Sequence, residues 1–257
     1  MRWNGSVAVV TGASRGIGRA VAREAAQRGA RVGLIARSKD ELEALAREIE
    51  GASIASADVA VRSEIEEAIG QIARELGPID ILVNNAGIGA YGPVADTEPD
   101  VFEQLIRVNY FGTVYATKAV LPSMLDRGRG HIVNVSSIAG RIGAPLEAAY
   151  SASKFAVAGL TEALAMEVAR RGIGVSMVDP GPVRTSFFDA RGVPYQMKMP
   201  RPVSPESVAR RVVKAVEGNI LEQYVPRWLR FPVILKTLVP PLYRSGTLRQ
   251  FKDKLGD

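Results

Sequence analysis

The chain contains no cysteine and only one histidine, His131, among its 257 residues. Disulfides and thiolate metal sites are thereby excluded, and no metal site is expected from a lone imidazole. Also missing is any run of the eighteen or so consecutive apolar residues that a membrane-spanning helix requires, so no transmembrane helix is expected. Met1 leads straight into a strand-like segment, without the basic, apolar and small-residue regions of a secretory signal, and a cytoplasmic protein is the expectation. Aromatic residues are few (6%), yet apolar residues make up 47% of the chain. That is the composition of an ordinary globule, long enough to bury a sizeable core in one domain.

Acids are scarce in one place. The net charge is +6, and residues 226–257 supply +5 of it: Arg227, Arg230, Lys236, Arg244, Arg249, Lys252 and Lys254 stand against Asp253 and Asp257. With the rest nearly neutral, no nucleic-acid partner is expected. The chain is expected to divide into a core over 1–225 and a basic, apolar extension over 226–257. Ten large apolar residues between Trp228 and Tyr243 must be covered, by the core or a second subunit in the favoured reading, by an anionic bilayer in the other.

Strand and helix signals alternate from the start without repeats, which predicts an α/β fold: a Rossmann-type, doubly wound parallel sheet with helices on both faces. The run 6–11 is apolar and ends in Gly12-Ala13-Ser14-Arg15-Gly16-Ile17-Gly18, followed by an Ala-rich helix to about Arg28. Such a loop lets a pyrophosphate approach the N–H groups and positive dipole of the helix N-terminus, making Gly12, Ser14, Arg15, Gly16, Ile17 and Gly18 candidate cofactor contacts. The second strand, 31–36, ends where dinucleotide folds usually present an acid to the adenosine ribose. This sequence has none. Arg37 and Ser38 follow instead, and Arg15 lies in the glycine loop, so two guanidinium groups are available for a 2′-phosphate, and NADP(H) is favoured over NAD(H).

Helices are predicted over about 39–50 and 62–76, and strands over 52–57 and 79–83. Asp58 and Val59 then line an adenine pocket, and Asn85, Ala86 and Gly87 allow backbone to pass close to a ligand. One helix is predicted from about Pro99 to Leu125. Asn109 inside it either satisfies a bend or holds a water, because an unpaired amide there is costly. A strand over 131–137 places the Ser137 hydroxyl at the carboxyl edge of the sheet, and Tyr150 and Lys154, four apart on a helix, share one face. A cation beside a phenol favours the phenolate, so the pair is a candidate acid–base group. After a strand over 174–178, Pro180, Gly181, Val183 and Thr185 suit the nicotinamide end of a cofactor, and 186–202 is predicted to form a mobile loop over the site. Ser204 and Pro205 open a helix to about Glu217.

Together, Thr11-Gly12-x-x-x-Gly16-x-Gly18, Asn84-Asn85-Ala86-Gly87, Asn109, Ser137, Tyr150-x-x-x-Lys154 and Pro180-Gly181-x-Val183-x-Thr185 resemble the short-chain dehydrogenase/reductase family over about 6–225. The resemblance implies Tyr150 as general acid–base, Ser137 orienting the substrate oxygen, and Lys154 lowering the Tyr150 pKa while binding nicotinamide ribose. It also implies a proton-relay water held by Asn109. An NADP(H)-dependent interconversion of a carbonyl and a secondary alcohol, on a lipophilic small molecule, is expected on this basis, as is a homodimer or homotetramer. The chain departs from many members at its end, where a basic, proline-broken tail replaces a terminal glycine-rich strand. The competing reading is a non-catalytic dinucleotide sensor or membrane-surface binding protein on the same fold.

Overall fold

The structure, a computed structural model, describes residues 1–197 and 199–255; Asp257, counted in the tail's charge, and residue 198 of the expected loop lie outside the described residues. Seven parallel strands form one sheet: β1 (Val7–Thr11), β2 (Arg31–Ala36), β3 (Ser53–Ser56), β4 (Ile81–Asn84), β5 (Gly130–Val135), β6 (Ile173–Pro180) and β7 (Glu222–Val225). They run in the order β3-β2-β1-β4-β5-β6-β7, so the winding reverses between β1 and β4.

Both faces of the sheet are covered, which explains the unbroken apolar runs in its strands. Side chains alternate across β1: Ala8 and Val10 join a core with α1 (Gly16–Gln27), α2 (Lys39–Ala46) and α8 (Pro205–Gly218), whereas Val7 and Val9 join a second core on the other face. That second core includes α3 (Arg62–Leu76), α5 (Gly112–Arg127) and α6 (Ala148–Val168). His131 is buried among the strands with Nε2 2.9 Å from Ser176 Oγ, and burial pulls its pKa down to about 4, so it is a neutral core residue at physiological pH. Ser204 caps α8, its hydroxyl accepting from Ser207 N.

The elements differ from the expectation in three places. The helix after β2 stops at Ala46 rather than near Glu50, and turns carry the chain into β3. The helix predicted from Pro99 to Leu125 is α4 (Pro99–Leu105), a π-helical turn over Ile106–Phe111 and then α5. Periodicity misses the π turn because one extra residue leaves both flanks helical, and Asn109 lies within it with its amide bonding a neighbouring loop rather than its own helix. The segment 186–202 is not wholly irregular, since it holds a short helix, α7 (Phe187–Ala190).

Past β7 the chain makes a 3-10 turn over Arg227–Leu229, then α9 (Arg230–Leu238) and α10 (Pro240–Leu255). No helix among the described residues is long and apolar enough to cross a membrane.

Candidate active site

Parallel winding brings every β-strand's carboxyl end to one edge of the sheet, and the sequence-predicted residues meet there. Gly12–Gly18 follow β1, Arg37 and Ser38 follow β2, Asp58 and Val59 follow β3, and Asn85–Gly87 follow β4. Ser137 lies just beyond β5, Pro180 closes β6, and Gly181, Val183 and Thr185 follow it. At the reversal between β1 and β4 the two loops are tied: Asn85 Nδ2 donates to Thr11 O at 3.0 Å and Gly12 O at 3.2 Å, and Thr11 Oγ1 accepts from Asn85 N and Ala86 N.

This crevice fits a pyrophosphate on its own geometry. A Cβ at Gly12 would come within 2.8 Å of Ala86 Cα, and one at Gly18 would overlap Gly12 O, so only glycine lets the loop fold so tightly. No side chain caps the N-terminus of α1 and its first turn holds no acid, leaving its N–H groups and positive dipole end available to an anion. At the end of β2, Arg15 Nη2 pairs with Glu41 at 3.0 Å and Arg37 Nη1 lies 4.0 Å from Asp58 Oδ2, both pairs at the surface. They are exposed and weakly held, as groups that turn toward a phosphate must be. Asp58 also accepts from Ala60 N in a tight turn, and the Val59 side chain is buried against Gly112. Thr185 reaches back to Gly16, so the loops after β1 and β6 close around the same space.

At the far end of the crevice, α6 presents Tyr150 and Lys154. Tyr150 is partly exposed, and desolvation by the surrounding protein pushes the phenol pKa well above its usual value; the Ser137 hydroxyl pulls in the opposite direction. Lys154 Nζ donates to Val135 O at 3.1 Å and stands 5.9 Å from the Tyr150 ring centre, and burial lowers its own pKa to about 8. The result is a phenol that holds its proton at neutral pH beside an ammonium near its titration point.

The Asn109 side chain is bonded to protein at the π turn. Its Oδ1 accepts from Ile88 N at 2.8 Å, and its Nδ2 donates to Ile88 O and to Ser153 Oγ, both at 2.9 Å. Both amide hydrogens are thus used by protein, and the loop after β4 is clamped to the helix that carries Tyr150.

Two groups escaped the sequence reading. Asp179 is wholly buried at the end of β6, with Oδ2 accepting from Arg141 Nε at 3.1 Å and Oδ1 unpartnered. Burial raises its pKa to about 7 against the pull of Arg141, and its charge in turn supports the Lys154 ammonium. An acid ending an apolar strand was the available signal. The other is the ion pair between Arg191, beyond α7, and Glu147, which immediately precedes α6. Arg191 stacks at 4.8 Å on Tyr91 and 4.6 Å on Phe188, while Phe187 covers Tyr150 at 5.6 Å between ring centres. The aromatic groups lie far apart in sequence, which hides them from any local pattern.

Comparison with known proteins agrees with this geometry. The sequence model described as short chain dehydrogenase matches residues 6–193, and the chain belongs to the short-chain dehydrogenase/reductase family. It is an oxidoreductase acting between an alcohol and a carbonyl. It is similar to a zebrafish (Danio rerio) protein named 3-dehydrosphinganine reductase, 40% identical over 242 residues that cover 88% of this chain and 73% of the relative. Among solved structures, it resembles a short-chain dehydrogenase/reductase from Burkholderia phymatum in complex with NAD (TM-score 0.86, 26% identity, 94% of this chain and 96% of that one). It also resembles one from Burkholderia cenocepacia in complex with NADP (TM-score 0.84, 30% identity, 96% and 99%). The seven-stranded doubly wound fold is shared with both.

The relatives overturn one expectation. A reductase named for dehydrosphinganine handles a long-chain base, a compound that partitions into membranes, so the cytoplasmic placement does not stand. It rested on the composition of the first residues and the length of apolar runs, and neither decides whether a protein works against a bilayer.

Proposed function

We propose that the chain is an NADP(H)-dependent reductase of a ketone carried on a long-chain lipophilic molecule. The observation that carries this reading is the placement of Ser137, Tyr150 and Lys154 at the end of a crevice that begins in a glycine cradle and has Arg37, not an acid, immediately after β2. The cradle residues Gly12–Gly18 would hold the pyrophosphate, Arg15, Arg37 and Ser38 the 2′-phosphate, and Lys154, Pro180, Gly181, Val183 and Thr185 the nicotinamide riboside. Bound there, the cofactor supplies hydride to the carbonyl carbon. The protein supplies the rest. Ser137 and Tyr150 donate hydrogen bonds to the carbonyl oxygen, aligning it and stabilising negative charge as it develops. Tyr150, protonated because burial raises its pKa, gives up its proton to that oxygen, and the Lys154 ammonium stabilises the phenolate left behind. Lys154 itself is kept charged by Asp179. Phe187, Phe188 and Tyr195 stack in sequence from the Tyr150 ring outward, an apolar wall suited to an alkyl chain, and the name of the zebrafish relative supports the same substrate class.

The test is reduction of a long-chain 3-keto lipid, followed by cofactor absorbance with NADPH and with NADH. NADPH is expected to be the better donor, and Tyr150→Phe to lower kcat by about 10²–10⁴ while NADPH still binds. Turnover near that of the unmodified protein in Tyr150→Phe, or a clear preference for NADH, overturns the reading.

A further inference from the structure

The C-terminal helices carry the feature that neither fold nor chemistry explains. Leu229 and Phe251 of this segment are buried, but most of its other large apolar side chains face outward. Phe231 is 69% exposed, Leu238 73% and Leu242 59%, with Trp228, Ile234, Val239 and Leu248 exposed beside them. Phe231, Ile234 and Leu238 recur at spacings of three and four, which aligns them along α9, and Trp228 precedes them by three residues in the 3-10 turn. Arg227 and Arg230, at the start of this stripe, and Arg244 and Arg249, on α10, are exposed, and none pairs with a carboxylate among the described residues. Asp253 is the sole acid between 226 and 255.

We propose that α9 and α10 form a docking face for an anionic lipid bilayer, placed so that a lipid substrate can pass from the membrane into the site. An outward apolar stripe flanked by unpaired arginines is the pattern of a helix lying shallowly in a bilayer interface, where apolar groups enter the acyl boundary and cations meet anionic headgroups. A second copy of the chain fits less well. Asp253 is the one acid between 226 and 255, so in a self-complementary contact of this segment its arginines would meet almost no carboxylate.

The position of the face ties it to the site. Leu229 packs beside Gly181, and Lys236 Nζ donates to Arg141 O at 2.9 Å. Gln250 Nε2 donates to Met199 O at 3.2 Å in the loop over the crevice, and Lys254 Nζ lies 5.8 Å from the Tyr91 ring. The tail thus touches the segment that covers Tyr150.

The experiment is flotation of the full-length protein with vesicles of phosphatidylcholine, with and without phosphatidylglycerol, at low and high salt. Binding is read without turnover, so this result stands or falls separately from the proposed substrate. The protein is expected to float with the anionic vesicles and to be released from them by salt. The double variant Phe231→Asp/Leu238→Asp is expected to weaken that binding by about a hundredfold, since two large side chains no longer leave water. Its reduction of a short, water-soluble ketone should be unchanged, which establishes that it is folded. Should it misfold, Arg244→Glu/Arg249→Glu reads the electrostatic part alone and should abolish the salt-sensitive binding. Absence of flotation with anionic vesicles overturns the proposal. So does a dimer in solution that the double variant turns into monomers without any change in flotation, because a second copy then covers the face.

Discussion

At the scale of single residues, the decisive quantity is the protonation of two neighbours on α6. Burial moves Tyr150 and Lys154 in opposite directions, because removal from water disfavours whichever form is charged: the phenolate of one, the ammonium of the other. Lys154, at about 8 rather than its ordinary value of 10.5, loses its proton as pH rises through about 8. The phenolate then forms without a cation beside it. Reduction measured as kcat/KM for NADPH against pH, which reports the free enzyme, is expected to be level near neutrality and to fall above pH 8, the limb belonging to Lys154. Lys154→Met should abolish that limb together with most of the activity. A limb near the usual pKa of an exposed lysine, two units higher, would show that burial does not act on this group.

Among the elements, the segment over the crevice is the one whose state decides access. Arg191 is almost inaccessible, held by the Glu147 carboxylate and by two aromatic faces, so the loop containing α7 is fastened to the start of the helix that bears Tyr150. Removing one partner of a buried ion pair costs about 3–5 kcal/mol, because the other charge is left unpaired. Glu147→Gln should therefore release the loop, and the measurement is trypsin cleavage after Arg191. Cutting is expected to be at least about tenfold faster in Glu147→Gln than in the unmodified protein, as the open form becomes more populated. Equal rates would mean that the ion pair does not fasten the loop. The π turn at Asn109 is a second device of this scale: it spends one helical register on clamping the loop after β4, and a regular helix could not present that amide to Ile88.

For the molecule as a whole, the crevice is assembled from the ends of β1 through β6, so a ligand that fills it joins parts of the chain that unfold together. A ligand at one hundred times its Kd adds about 2.7 kcal/mol to the folded state. NADPH is accordingly expected to raise Tm by roughly 5–10 °C, with NADH at equal concentration giving a smaller shift. Equal shifts would overturn the assignment of Arg15 and Arg37 to a 2′-phosphate without reference to any substrate.

At that same scale, the sequence by itself determined the parallel α/β fold, the glycine cradle, the missing acid after β2 and the Tyr150, Lys154 and Ser137 set. Each of these is local: a strand's apolar run, a glycine spacing, or a four-residue offset on one helix fixes them through backbone geometry. Tertiary structure alone decided what depends on packing between distant segments. Asp179 could be seen as an acid in a turn, but its burial against Arg141 and its support of Lys154 arise only when β6 lies beside β5 and α6. The closure of the crevice by Arg191 and Glu147 joins positions 44 residues apart. The apolar residues of the tail were legible as a group needing cover, whereas which of them turn outward depends on how α9 and α10 lie on the core. Pattern reports what a segment can bury, and only the packed molecule shows what it leaves exposed.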